Sequence, residues 1–339
     1  MFKSPTRALP PSDVSGPESV QEAPDRSTVP KLDLRDAQSA DLEIRVRFRQ
    51  GLRAALTEFG FVRIVGHQID EALIQSVYRA FETFFSGDEG NKALCNSAAG
   101  GQRGFTAFGL EHAKDQSEPD LKEFYHVGRE LPPNHPLRAQ YPDNIWPVDI
   151  PGLRAASLAL YDALDTCAGS LLESLALSFE LPEGTFTGML REGNSILRVL
   201  HYPPLAEAAT GEAMRAAPHE DINLITLLCD ATDAGLEILT QQGDWLAVPA
   251  CAGEIVVDAG DMLARVTNDV VPATTHRVVT PDSARHRDRY SLPYFAHPYP
   301  ACDLSVLQAF VGPNSPAKYP PISAAAFLDE RLKEIGLIS

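Results

Sequence analysis

Between residues 40 and 58 (ADLEIRVRFRQGLRAALTE) apolar side chains recur at helical spacing, with charged residues on the opposite face. The same spacing predicts a helix from about Asp70 to Phe85 and a long one over residues 152–180, with a continuous apolar stripe. Short alternating runs flank the first helix: Val29–Leu34, and a strand over Phe59–His67 led in by Gly60. Residues 86–145 are rich in Gly, Pro and Asn and read as loops. From Ser195 the texture changes to short β-type runs separated by turn residues: Ile196–Tyr202, Leu224–Cys229, Leu236–Thr240, Trp245–Val248, Glu254–Val257, His276–Val279 and Tyr290–Phe295. A last helix is predicted from about Ala324 to Ile335. Helices first, then many short strands, describe a mainly β fold with flanking helices, built on a double-sheet antiparallel roll whose mouth can gather side chains from neighbouring strands.

Composition changes this picture little. The chain has 339 residues, 44% hydrophobic and 22% charged, as globular domains do. Residues 1–28 are the exception: rich in Pro, Ser, Asp and Glu, they bury too little apolar surface to offset their ordering entropy and are expected to form a disordered tail. The expected organisation is that tail, an N-terminal region over 29–145, and a helix plus β-roll over 146–339 with its closing helix. The net charge of -17 argues against nucleic acid and anionic membrane as partners, and weakly for a monomer or small homo-oligomer. Five scattered cysteines with no CxxC pairing argue against a disulfide framework or zinc-thiolate site. With no apolar run long enough to span a bilayer and no secretory h-region, a cytoplasmic location is expected.

The candidate chemistry lies in the roll. His219-Glu220-Asp221 stands at the predicted start of a strand, where residues two apart share a face, so His219 and Asp221 project together and Glu220 points away. A lone His-x-Asp also serves as a purely structural pair. A third candidate, His276, opens a later β-run, and two imidazoles with one carboxylate make the facial triad that suits Fe(II) and leaves positions open. Downstream, Arg289 and Ser291 share a face by the same period-two logic, and a guanidinium beside a hydroxyl is a receptor for a carboxylate. Tyr202 offers a phenol to the same acid.

These stretches resemble the isopenicillin N synthase-like family of 2-oxoglutarate/Fe(II)-dependent oxygenases. The matching segments are LRVLHYPP (197–204), HEDINLITLL (219–228), GLEIL (235–239), GEIVVDAGDML (253–263), THRVV (275–279) and RYSLPYF (289–295), with VPKLDL and FGFVRIVGHQI near the N-terminus. The resemblance implies a double-stranded β-helix (jelly roll) core with an N-terminal α/β portion. It implies Fe(II) on His219, Asp221 and His276, and 2-oxoglutarate bound through Arg289 and Ser291 with Tyr202 assisting. The reaction implied is oxidation of an unactivated C–H of a small organic substrate by O2, as hydroxylation, desaturation or cyclisation, with release of succinate and CO2. Many plant members carry Asn at the position of Leu200, and a co-substrate contact there is not implied. Asp221 disfavours halogenation, because related halogenases lack this carboxylate.

For the substrate, Phe295 shares a face with Arg289 and Ser291 and is a candidate for the pocket lining or for plain core packing; Arg103 in GQRGF reads as a solvated surface arginine or as a partner for a substrate carboxylate; and Asn268 is a candidate neighbour of the metal beside His276 or a turn cap. The segment 111–128 is a candidate cover for the mouth. His67, His112, His126 and His201 lack ligand spacing with the triad and are expected to be structural or solvent-facing. Two other readings remain open. One is an oxidase in the manner of isopenicillin N synthase, which uses no 2-oxoglutarate; the other is a non-catalytic metal-binding sensor.

Overall fold

The computed structural model describes residues 27–96, 102–110, 121–204, 215–229, 231–249, 251–280 and 286–334. Nearly all of the tail expected over 1–28, part of the cover expected over 111–128, and His112 lie outside the described residues. Strand β1 (Lys31–Asp33) leads into helix α1 (Leu42–Phe59), strand β2 (Phe61–Val65) and helix α2 (Glu71–Phe85). Then come α3 (Glu89–Ala93), β3 (Gly104–Thr106), β4 (Glu123–Gly128), α4 (Leu153–Ser178) and α5 (Thr185–Leu190). The rest of the chain supplies β5 (Ile196–Tyr202), β6 (Ala216–His219), β7 (Ile225–Cys229), β8 (Leu236–Leu239), β9 (Trp245–Ala247), β10 (Ile255–Ala259), α6 (Asp261–Val266), β11 (His276–Val278), β12 (Arg289–Ala296) and α7 (Ala324–Glu334).

Local signals set the helix ends. The carboxylates of Asp41 and Asp70 accept the backbone N–H of Glu43 and Ala72, capping α1 and α2. Helix α1 stops at Gly60, whose φ of 66° suits an αL cap. A Cβ at Gly60 would lie 2.1 Å from Thr274 Oγ1, so glycine both ends the helix and lets β2 start against the loop that precedes His276.

The strands form two sheets. The larger has the order β1-β2-β10-β7-β12-β5-β4-β3 and the smaller β6-β11-β8-β9; every pairing is antiparallel except β1 with β2. The N-terminal strands thus belong to the same sheet as the roll. Helix α4 lies under the large sheet with α1 and α2 packed against it. It buries Leu160, Leu164, Ala168, Leu171 and Leu175, at i+4 and i+3 steps, into the main core with Leu292, Tyr294 and Ala296 of β12. Period two then turns Arg289, Ser291, Pro293 and Phe295 to the other face. There the two sheets close on each other through Phe61 and Val256 of the large one and Leu236, Ile238 and Val248 on the small side.

One expectation needs correction. Residues 86–145 are more than loops, because β3 and β4 extend the large sheet. Strand β4 is buried throughout, and its inward residues Phe124 and His126 mix apolar with polar, so no clean alternation marks it. Helix α4 and the β-runs from Ser195 fall where the pattern predicts them.

Candidate metal centre

His219 is the last residue of β6, and His276 is the first of β11 and its register partner. Their ring centroids lie 4.4 Å apart. Asp221 was expected to share a strand with His219; instead β6 ends at His219 and the carboxylate arrives from the turn that follows. The geometry still converges. Asp221 Oδ1 lies 3.9 Å from Nε2 of both His219 and His276. One ligand atom from each residue falls within 4.8 Å of the others. Glu220 turns away, its Oε1 accepting from Thr275 Oγ1 at 3.0 Å.

The donor set is prepared for a cation. His219 Nδ1 faces the Ala217 carbonyl at 2.7 Å and His276 Nδ1 faces the Thr274 carbonyl at 3.2 Å. An N–H at Nδ1 is the tautomer those carbonyls require, which leaves both Nε2 lone pairs toward Asp221. Burial, then the neighbouring His276, push the His219 pKa down to about 4, so the ring is neutral near pH 7. Thr226 Oγ1 donates to Asp221 Oδ2 and fixes that carboxylate, and Asn223 Nδ2 in turn donates to Thr226 Oγ1 at 2.9 Å. Phe61 meets the His276 ring edge-on at 5.5 Å. Burial and then the Asp221 charge push the pKa of Asp258 well above the usual carboxylate range.

Arg289, Ser291 and Tyr202 gather farther along the same face. Arg289 is the register partner of Tyr202, and Ser291 lies two residues on, opposite Leu200. Arg289 and Ser291 are each 2% exposed. Arg289 Nε donates to the Asp233 carbonyl at 3.2 Å, and its Nη1 is buried with no partner among the described residues. Two further cations of this end escaped the sequence reading. Arg215, fully buried, sets its guanidinium 6.0 Å from the Tyr202 ring centroid, with Nη2 donating to the Arg287 carbonyl. Burial and the Arg289 charge lower its pKa. Stepping back by twos from His219 reaches Ala217 and then Arg215, and that period was the available signal. Lys122 precedes β4, is buried, and its charge is among those that depress the His219 pKa.

Of the substrate candidates, Phe295 lies on the inner face, with the Arg198 guanidinium 5.2 Å from its ring centroid. Arg103 is 1% exposed rather than a surface arginine. Asn268 is a correction: its amide is used by the C-terminal segment. Nδ2 donates to the Phe310 carbonyl, Ser315 Oγ and the Pro316 carbonyl, and Oδ1 accepts from Lys318 N. His201 bridges Glu123 and Asp288 and stacks on Tyr290 at 4.7 Å, a structural clamp. His67 Nδ1 accepts from Ile69 N in a turn. His126 is buried on the inner face, in register with Arg198.

Comparison with known proteins agrees with this geometry. The family model described as the non-haem dioxygenase in morphine synthesis N-terminal region matches residues 29–149, and that of the 2OG-Fe(II) oxygenase superfamily matches residues 193–298. The chain is 32% identical to the 2-oxoglutarate-dependent dioxygenase imqE of Aspergillus flavus, covering 91% of this chain and 94% of that one. It is 34% identical to the proline hydroxylase buaE of Petromyces alliaceus, over 80% of this chain and 88% of the other. Among solved structures, a putative 2OG-Fe(II) oxygenase family protein from Caulobacter crescentus superposes with a TM-score of 0.83 at 39% identity, covering 91% of this chain and all of that one. A full-length Neurospora crassa protein solved with alpha-ketoglutarate and thymine has a TM-score of 0.81 at 25% identity, covering 92% and 98%. The paired family models and the aligned length settle the affiliation: the chain belongs to the 2-oxoglutarate- and Fe(II)-dependent oxygenase superfamily, in its isopenicillin N synthase-like branch, and is a dioxygenase of that kind.

Proposed function

We propose that His219, Asp221 and His276 hold Fe(II), and that Arg289, Ser291 and Tyr202 hold the distal carboxylate of 2-oxoglutarate while a small organic molecule is oxidised beside the metal. The observation that carries this reading is the convergence of three ligand atoms within 4.8 Å of one another, two of them imidazole nitrogens whose partners at Nδ1 are backbone carbonyls. When bound, iron supplies the activation of O2 that 2-oxoglutarate decarboxylation drives, yielding succinate, CO2 and an oxidised C–H.

The chain's own residues bind and orient. The Ala217 and Thr274 carbonyls hold the two imidazoles in the ligating tautomer, and Thr226 keeps the Asp221 carboxylate turned toward them. Arg289 is tied at Nε and keeps Nη1 for an anion, so the co-substrate meets a guanidinium already placed. Closure of the two sheets through Phe61, Leu236, Ile238, Val248 and Val256 excludes water from this interior. By residue number we assign 29–145 to the N-terminal dioxygenase region and 146–339 to the catalytic region.

Relatives and structural neighbours that act on or bind small molecules, thymine among them, favour a small-molecule substrate here too. Anaerobic addition of Fe(II) and then 2-oxoglutarate tests the reading. A weak visible charge-transfer band is expected from a keto acid chelating iron with open positions. Iron binding without that band would favour the oxidase that dispenses with 2-oxoglutarate, and no iron binding would overturn the assignment.

A further inference from the structure

Arg289 and Tyr202, placed above in the co-substrate receptor, form the last register pair of their ladder: β12 begins at Arg289 and β5 ends at Tyr202. Pro203 and Pro204 follow, and with no backbone N–H they cannot donate to a longer ladder. The end of a ladder opens more readily than its middle. A carboxylate receptor needs the reverse, because a guanidinium and a phenol already held in place lose less entropy on binding.

One pair further in, on the opposite face, stands the group that holds this end. His201 and Tyr290 are register partners, and their rings stack with centroids 4.7 Å apart and planes 12° apart. Phe85 of α2 flanks the imidazole at 5.3 Å. Nδ1 of His201 meets Glu123 Oε1, and Nε2 meets Asp288 Oδ1, each at 2.7 Å. Glu123 is the first residue of β4 and pairs in register with His201 from the other side. Asp288 immediately precedes Arg289. One imidazole thus ties together the ends of three strands, β4, β5 and β12. Ionised carboxylates only accept, so a ring with N–H on both nitrogens completes the bridge. Glu123 is anchored in turn: Lys92 Nζ donates to its Oε2 at 3.0 Å, and Glu89 pairs with Lys92 at 2.6 Å.

We propose that His201 is a positioning residue for the co-substrate receptor. By tying Glu123 to Asp288 it keeps the last pair of the β5–β12 ladder closed, so that Arg289 and Tyr202 stand in register before 2-oxoglutarate arrives. Its ring lies on the helix side of the sheet, and it acts through its neighbours rather than on the keto acid. A buried ionic bridge adds little net stability over apolar packing, and what this one fixes is geometry. The assignment rests on the co-substrate site proposed above and deepens it.

The test compares two keto acids. Full-length protein is loaded anaerobically with Fe(II) and titrated with 2-oxoglutarate and with 2-oxobutanoate, which lacks the distal carboxylate, while the charge-transfer band is followed. His201→Phe keeps an aromatic ring against Tyr290 and Phe85 and loses both bridges. It is expected to weaken 2-oxoglutarate binding about tenfold and to leave 2-oxobutanoate binding unchanged. Asp288→Ala is expected to act in the same direction. Charge alone predicts the opposite for that variant, because removing a carboxylate beside Arg289 favours an anion there, so the sign separates positioning from electrostatics. Asp288→Asn, whose amide oxygen still accepts from Nε2, is expected to restore 2-oxoglutarate binding. Asp288 is half-exposed, and its two variants decide the matter where His201→Phe does not fold. An unchanged preference between the two keto acids, or tighter 2-oxoglutarate binding by Asp288→Ala, would overturn the proposal. So would an equal loss for both acids, which places the damage at the metal centre. No preference for 2-oxoglutarate in the unaltered protein would overturn the co-substrate reading itself, and this proposal with it.

Discussion

Arg289 and Tyr202 stand opposite each other on β12 and β5, with the guanidinium carbon 5.1 Å from the centroid of the phenol ring. On the same ring's flank lies Arg215, 6.0 Å from that centroid. Two buried guanidinium groups around one aromatic side chain repel each other, and the Arg215 pKa falls partly for that reason. An anion between them relieves the repulsion. On the reading proposed above, that anion is the distal carboxylate of 2-oxoglutarate.

The first prediction follows from that arrangement. Arg289→Gln should weaken 2-oxoglutarate binding about a hundredfold, the cost of losing a charged hydrogen-bonding fork in a buried site. Arg215→Gln should weaken it about tenfold, as a contributor to the field rather than the fork itself. Both variants should bind 2-oxobutanoate, which has no distal carboxylate, as the unaltered protein does. Anaerobic titration of the charge-transfer band measures both ligands. Equal loss for the two keto acids would mean that the variants damage the metal centre instead.

The second prediction concerns Asp221. Asp221→Asn removes the charge that faces both imidazoles while keeping the acceptor for Thr226. Iron affinity should fall by at least about a hundredfold, since a hard divalent cation loses its one anionic ligand. The apo-protein should remain folded, because the variant also relieves the pairing of two buried carboxyls with Asp258. Equilibrium dialysis of Fe(II) and far-ultraviolet circular dichroism separate the two effects. Full iron affinity in a folded variant would exclude Asp221 as a ligand.

Why some of this was legible in the sequence, and some not, has a physical basis. The helices follow from apolar periodicity and from Asp41, Asp70 and Gly60, which mark their ends within a few residues. The triad positions stand out because the His219-x-Asp221 pair is followed in order by His276 and by Arg289 with Ser291, even though the argument for them assumed a strand through Asp221 where the chain turns. Arg215 and Lys122 could not be recognised by type, since buried and exposed cations look alike in one sequence. Their burial is decided by which strands pair with β5 and β11, a long-range property. Asn268 misleads for the opposite reason: it neighbours the His276 loop in sequence, yet a φ of 56° turns it toward the C-terminal segment.

That geometry gives the third prediction. Asn268 and Asp269 both occupy the left-handed region, at φ of 56° and 63°. The Asn268 amide makes four hydrogen bonds that hold residues 310–318. Asn268→Ala removes those bonds and worsens the backbone preference, so a loss of about 2–4 kcal/mol is expected. Urea unfolding should show a lower midpoint, with iron and 2-oxoglutarate affinity unchanged in the folded protein. Reduced affinity at full stability would return Asn268 to the metal centre.

The last prediction is a pH dependence carried by His297. Burial pushes its pKa down to about 4, against an ordinary value of 6.5 in the unfolded chain. The sign follows from proton counting. Between pH 6.5 and about 4 the unfolded chain binds a proton at this ring and the folded protein does not, so stability falls as pH falls through that window. The full effect is on the order of 3 kcal/mol between the two values, and none of it operates above pH 7. His219 pushes in the same direction and is retained in a His297→Gln variant. Metal-free unaltered protein should therefore lose stability more steeply than His297→Gln between pH 6.5 and 4.5, with the two curves parallel above pH 7. Urea midpoints measured at half-unit steps test this directly. Parallel curves through the whole window would mean that the His297 ring binds its proton equally well in the folded and unfolded chains, and that burial does not depress its pKa.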